Sequence, residues 1–568
     1  MANEGDRDRE FARLANTYLD DLAERHPDLA SELGDHRFDG HLPDLSAEAR
    51  RAERRALDGW AARLSALDSG TLSAEHQVDA AIMTDHVARR IFEIDELREH
   101  SWNPLLANPG RALYRILGLD FAPLPDRLTS VAGRLAEVPG MLTQARSQLG
   151  AMPRVHIETA IGQFSGTITL VTETIDAVLD QAPASTKAQI ARVRPGALAA
   201  LAEHRDWLSA RLTATDGFAS PRLGAERFAR KLTLTLTPSR RERGAPGDGE
   251  PDADAITTRA NADLDRIGEQ IAAVAAELGG GVREVLGRLA EDALDDTLIL
   301  GFCRDALAAQ TEFVRDQRLI TVYDDPVDII EMPEIDRGVA IAYCDSPGPL
   351  EPATLPTFIG VSPTPRGWSA ERVASFYREY NRHMVHNLMV HEAMPGHALQ
   401  LQHASRFAGS GTNIRKALTS GAFIEGWAVY TEELMADHEY PGDGDPRRVR
   451  MQQLKMQLRS TINAILDAGV HARGMTRAEA MALMMDRGYQ EEGEAAGKWR
   501  RAQLTSGQLS TYYVGYTEVA GLARELTAAQ PQASEQQVHD AMLAHGSPPA
   551  RLLRTLLCPS LRESRCLE

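Results

Sequence analysis

The sequence predicts a mainly α protein, a large helical body of two lobes around a deep cleft with a small β hairpin or sheet. Two observations lead there. Among 568 residues, hydrophobic side chains make up 43% but aromatics only 5%, and the abundant Ala, Leu, Arg and Glu are good helix formers. Apolar residues also recur at helical spacing along most of the chain, as from Ala188 to Leu212.

Taken in order, helical patterns run from Asp8 to about Gly118, and amphipathic segments continue to about Leu232. Between Ser239 and Ala255 the chain is rich in Arg, Gly, Pro and Asp, too polar and broken for helix or core, and reads as an exposed loop or lid. A long helix is expected from about Ala260 to Leu278. Apart from a brief Leu/Thr alternation at Leu232 to Thr237, strand signals are confined to Gly338–Cys344 and Thr357–Val361. A Pro- and Gly-rich connection joins these two runs, which are expected to pair as a hairpin. Its roles are open between a structural cover and an edge that pairs with an extended peptide. No internal repeat is found. Length alone would admit several domains, but the chain is read as one bilobed unit, with an amino-terminal helical lobe over 1–330 and a second lobe over 331–568.

The net charge of −19 repels phosphate backbones and anionic lipid surfaces, so neither nucleic acid nor membrane is an expected partner. Cys303, Cys344, Cys558 and Cys566 show no C-x-x-C pairing and read as ordinary reduced thiols. The first ten residues are charged where a secretory leader needs an apolar core, and no run approaches the ~18 apolar residues of a membrane span. A cytoplasmic location is the expectation.

The chemistry is concentrated in His391-Glu392-Ala393-Met394-Pro395-Gly396-His397. Two imidazoles with a carboxylate beside the first is how zinc hydrolases are built, the glutamate serving as general base toward the attacking water. The usual spacing is four residues; here it is six. At ~100° per residue an unbroken helix would set these histidines roughly 240° apart around its axis. Pro395 and Gly396 offer the remedy, one removing a backbone donor and the other accepting almost any conformation. A break that returns His397 to His391 is therefore expected. Glu425, in a helical run from Phe423 to Glu433, is the candidate third ligand. Gly426 is expected to let that helix pass close to the first, and Glu432, two turns after Glu425, could orient a histidine. His391, His397 and Glu425 would leave a fourth position open, which separates catalytic zinc from structural zinc. The ligand types also tolerate cobalt or manganese.

HEAMPGHALQ, FIEGWAVYTEEL, GQLSTYYVGYTEV and HDAMLAHGSPPARLL, with the opening His26-Pro27-Asp28 and Leu42-Pro43-Asp44-Leu45-Ser46, resemble the bacterial family called domain of unknown function 885. The likeness covers nearly the whole chain. Members resemble helical zinc peptidases of the glutamate-ligand class, which implies His391, His397 and Glu425 as ligands of one zinc ion and Glu392 as base. EGWAVYTE also resembles the segment that supplies the third ligand in large zinc aminopeptidases. The family often carries a histidine directly after the motif, where this chain has Ala398, so no role of that histidine carries over.

The resemblance further implies Tyr512 as the donor that steadies a developing oxyanion, with Tyr513 beside it as a core residue. His471, four residues after Asp467, is a candidate catalytic imidazole held by a carboxylate, or an ordinary helix-end histidine. Arg501 reads either as a grip for a substrate carboxylate or as a solvated side chain. His539 and His545 are candidates to approach the cleft, and His383 and His386 read as packing or surface residues. The expected activity is zinc-dependent hydrolysis of amide bonds in short peptides. The alternatives are a zinc hydrolase of a non-peptide amide and a metal-free helical binding protein.

Overall fold

The computed structural model describes residues 4–214, 217–236, 253–332, 341–351, 355–365, 367–409 and 411–558. It is mainly helical, with one three-stranded sheet among the described residues. The chain forms two compact units. The first holds 1–221 with two later excursions, 347–355 and 410–417; the second holds the remainder. The expected boundary at 330 is therefore displaced by about a hundred residues, and 222–330 belong with the carboxyl-terminal unit.

In the first unit, the helices Leu124–Arg146, Arg154–Thr169 and Ala184–Thr213 bury Leu135, Leu142, Ile157, Phe164, Ile190 and Leu201 in a common core. The third of these helices encloses the expected Ala188–Leu212 run. One excursion is tied down by Arg415, whose guanidinium bonds Asp79 at 2.7 Å, both side chains being buried.

The reason for the displaced boundary lies in packing. The helix Ala253–Glu277, which begins before the expected Ala260, lies along the long helix Pro446–Ala472. Ile256, Leu264, Ile267 and Ile271 share a core with Leu454, Leu458 and Ile462. The Leu/Thr alternation is helical as far as Leu236, Thr237 lying outside the described residues: Leu232 and Leu236 lie four apart on the buried face of Ala225–Leu236, so the 3.6-residue period prevails over the two-residue one. Most of the expected loop, 239–252, lies outside the described residues; its last three residues open the helix Ala253–Glu277.

The sheet has strands β1 (Val327–Glu331), β2 (Ala342–Asp345) and β3 (Thr357–Val361) in the order β1-β3-β2. β2 and β3 are the expected antiparallel pair, with Cys344 opposite Ile359; Gly338 to Ala340 lie outside the described residues. β1 was not anticipated. It runs parallel to β3 with Ile329 opposite Ile359, turning the hairpin into a mixed sheet in which β2 is an edge. Ile329, Ile359 and Val361 pack in one core with Met384, Leu388 and Met389 of the motif helix Arg382–Glu392. Among the described residues no helix is long and apolar enough to cross a membrane, and Cys303, Cys344 and Cys558 are free thiols.

Candidate metal centre

The motif helix starts at Asn381, whose side chain accepts from the Met384 N–H at 3.3 Å and so satisfies one of the open donors of the first turn. It stops at Glu392. The N–H groups of Ala393 and Met394 both turn back to the Met389 carbonyl, at 2.9 and 3.1 Å, and that of Gly396 reaches Val390 at 2.9 Å. A new helix then begins at His397 and runs to Ser405. Gly396 is obligatory at this crossing, since a Cβ there would lie 1.9 Å from the His391 carbonyl oxygen. Trp427 clamps the crossing from outside by donating its indole N–H to the Pro395 carbonyl at 3.0 Å. The motif thus contains a full break between two helices. It brings the rings of His391 and His397 to 4.7 Å between centroids at 84°.

Glu425 reaches the same point from the helix Gly421–Asp437, which is capped by Ser420. Its Oε2 lies 3.6 Å from His391 Nε2 and 3.5 Å from His397 Nε2. Two ligands about 2.0–2.1 Å from a tetrahedral ion are about 3.4 Å apart, so these separations match two edges of such a polyhedron. One donor atom from each of the three residues falls within 4.8 Å of the others. Glu425 Oε2 is buried with no hydrogen-bond partner among the described residues, as expected of an atom that faces a cation. The donor set of two imidazoles and a carboxylate fits zinc.

The electrostatics agree. Burial would raise the Glu425 carboxyl, but the two imidazoles hold it well below the usual carboxylate range. For His391, burial opposes the charged form, and Glu425 and Glu432 overcome it, raising the imidazole well above its ordinary value. Glu432 is 2% exposed. One of its oxygens accepts from His391 Nδ1 at 2.7 Å and the other from Asn387 Nδ2 at 2.7 Å. With a metal ion held, this bond would fix the tautomer and leave the Nε2 lone pair for the ion beside Glu425 and His397.

The expected role of Gly426 needs correction. It faces Gly515 on the helix Gln508–Ala529 and not the motif helix: a Cβ on Gly426 would lie 2.2 Å from the Gly515 carbonyl carbon, and one on Gly515 would lie 1.9 Å from the Ala422 carbonyl oxygen. The two helices touch backbone to backbone, and this contact sets Tyr512 near the cluster. The Tyr512 hydroxyl accepts from Arg501 Nη2 at 3.0 Å, while its own proton has no acceptor among the described residues. Burial, followed by the charges of Glu425 and Glu392, pushes the phenol well above its ordinary value, so it stays a donor. Glu392 is half-buried at the end of the motif helix; its charge also acts on Cys344 of the edge strand β2.

His471 is placed differently from expectation. Its Nε2 donates to the carbonyls of Ala502 at 2.9 Å and Thr505 at 2.7 Å, and it approaches Asp467 only to 4.0 Å. Asp467 instead accepts from the N–H groups of Gly507 and Ser510, each at 3.0 Å, and from the Ser510 hydroxyl at 2.8 Å. The pair clamps the turn that launches the Tyr512 helix, a positioning task. Tyr513 is core, with its hydroxyl on Asp263 at 2.6 Å. His539 is enclosed between the Leu319 carbonyl and the Tyr430 hydroxyl, and His545 lies against Phe407. His383 and His386 are buried and bonded to Asp292 and Asp443. Ala398 is fully buried in the core. Asn387, Trp427, Gly515 and Lys498 were not singled out from the sequence. Only Asn387 had a local signal, one turn before His391 on the same helix face.

Comparison with known proteins adds the following. Residues 27–557 match the model of a family described as bacterial protein of unknown function, DUF885. A comparison with curated proteins finds no match. A solved protein from Shewanella oneidensis, provisionally described as a lipoprotein of unknown function, is 27% identical, with TM-score 0.77 over 96% of this chain and 99% of its own. Another from Colwellia psychrerythraea, also provisionally described as a lipoprotein, is 16% identical, with TM-score 0.79 over 98% of this chain and 99% of its own.

Proposed function

We propose that this chain, which belongs to the DUF885 family of bacterial proteins, is a zinc-dependent hydrolase that cleaves amide bonds of short peptides. The observation that supports this reading most is the convergence of His391, His397 and Glu425 within 4.8 Å, with Glu432 bonded behind His391. Zinc, one ion per chain, would be held by these three side chains and would supply a Lewis acid for the scissile carbonyl and for water ionisation near neutral pH.

The remaining work belongs to the protein. Glu392 takes a proton from the water whose oxygen bonds to the carbonyl carbon, and delivers it to the nitrogen as the C–N bond breaks. The products are a carboxylic acid and an amine. Tyr512 has a free hydroxyl proton to donate to the oxyanion, and Arg501 fixes the phenol through the bond at 3.0 Å. The edge strand β2 lies within the field of Glu392, which suits an extended peptide aligned by strand addition. Glu392→Gln is the direct test: metal analysis should still find about one zinc per chain, while peptide turnover falls by roughly 10²–10⁴-fold. Near-zero zinc in the parent protein, or full turnover in the variant, would refute the reading.

A further inference from the structure

Behind the candidate metal centre lies a group of buried charges that peptide hydrolysis as described does not use. The helix Glu492–Leu504 presents Glu494, Lys498 and Arg501 along one face, facing Glu379, Lys455 and Arg459. Pairing within this group is unequal. Lys455 bonds Glu379 at 2.9 Å. Arg459 takes Glu494 in a close ion pair, and the Tyr380 hydroxyl donates to the same carboxylate at 3.3 Å. The Arg501 guanidinium donates to one neutral oxygen, the Tyr512 hydroxyl. Lys498 is 5% exposed and has neither an ion pair nor a hydrogen bond with any described residue. Lys498, which is buried, and Arg501, which is half-buried, are thus left without a counter-ion among the described residues.

A buried ammonium with no partner is costly and is ordinarily neutralised or paired. Burial, then Arg459 and Arg501, push the Lys498 amine well below its usual value, with Glu494 and Glu425 opposing. Glu425 is the metal-ligand candidate, so Lys498 lies within the field of that cluster. Arg501, one turn further along the same helix, holds Tyr512. An anion placed between Lys498 and Arg501 would pair with both, on the side where Arg501 holds Tyr512.

We propose that Lys498 and Arg501 form a carboxylate-binding subsite, and that the substrate is a short peptide with a free terminal carboxylate, cut close to that end. The inference rests on the hydrolase reading for the cleavage but not for the binding. An Arg fork and a Lys ammonium are the usual receptors for a carboxylate, whereas a carboxamide offers no charge to either.

The test uses the full-length zinc-loaded chain carrying Glu392→Gln, with N-acetyl-alanyl-alanine and its carboxamide as probes, followed by titration calorimetry. The acid should bind roughly 10–100-fold more tightly than the amide, the range expected for charge-assisted hydrogen bonds. Adding Lys498→Met should remove most of that difference and leave amide binding unchanged, while raising the thermal midpoint because a buried amine without a partner is lost. Lys498→Arg should restore part of the preference. Equal binding of acid and amide, or equal loss of both in Lys498→Met, overturns the subsite. The comparison of acid with amide needs no change at Lys498, so misfolding of Lys498→Met cannot obscure it. Zinc content and the Glu392→Gln turnover test decide the hydrolase reading separately: a protein with zinc and turnover but no acid preference loses only this subsite.

Discussion

Gly426→Ala isolates the way two distant helices assemble the site. At an ordinary helix position this change stabilises by about 1 kcal/mol, because Ala has the better propensity. Here the new carbon would sit 2.2 Å from the Gly515 carbonyl carbon and 2.4 Å from its oxygen, whereas non-bonded carbons settle at about 3.5–4.0 Å. Both obstacles are backbone atoms, so no rotamer change relieves them, and the helices must separate by ~1 Å or more. Overpacking of this kind costs ~1–3 kcal/mol, which reverses the propensity gain by up to about 2 kcal/mol. The functional consequence is larger. Glu425 directly precedes the contact, and a zinc site tolerates only about 0.2 Å in its ligand distances. If the Glu425 helix moves, zinc affinity falls on the order of 100-fold, the upper range for losing an orienting partner. If the Gln508–Ala529 helix moves instead, zinc stays and turnover falls as Tyr512 withdraws. Thermal melting, zinc competition against a chromogenic chelator and peptide turnover separate these outcomes. A higher midpoint with unchanged zinc affinity and turnover would show that the two backbones do not touch, and the account of the site would fail.

Two other outcomes follow from the geometry. His471→Leu should leave zinc content intact and cut turnover by roughly 10²-fold through misplacement of Tyr512, with both limbs of the pH profile retained; disappearance of a limb would instead make His471 a proton carrier. Glu518, on the same helix as Tyr512, has its carboxyl pushed up to about 7 by burial, with Arg551 and Arg554 opposing the shift. The unfolded chain therefore releases this proton from about pH 4.5 while the folded chain keeps it to about 7. Stability thus falls as pH rises through that window, by an amount on the order of 3 kcal/mol when fully developed. Glu518→Gln should raise the denaturation midpoint at pH 8 and leave it unchanged at pH 4.5; equal effects at both would refute the assignment.

What could be read in the sequence was whatever repeats along one element. The six-residue spacing of His391 and His397 forced a break, because helical geometry forbids a shared ion otherwise, and the break is where Pro395 and Gly396 stand. Glu425 and Glu432 could be placed on one face for the same reason. The strand β1 escaped because five residues paired parallel to β3 carry little alternation of their own, and the Leu/Thr stretch misled because two- and four-residue spacings coincide at Leu232 and Leu236. Contacts between elements were less accessible still. Gly426 was rightly singled out as a close-approach residue yet assigned to the wrong helix, since nothing local to it names Gly515, some ninety residues on. The same limit applied to His471, where the i, i+4 carboxylate suggested a catalytic pair. Asp467 is instead occupied by the Gly507 and Ser510 donors, and the imidazole by two carbonyls. Lys498 is the extreme case: its significance lies in what Glu379 and Glu494 already hold, a charge balance that exists only once Lys455 and Arg459 have been brought against them. An amine buried without a partner beside a cluster that itself calls for a cation becomes an ion only when an anion is set against it, and that argues for an anionic ligand independently of any motif.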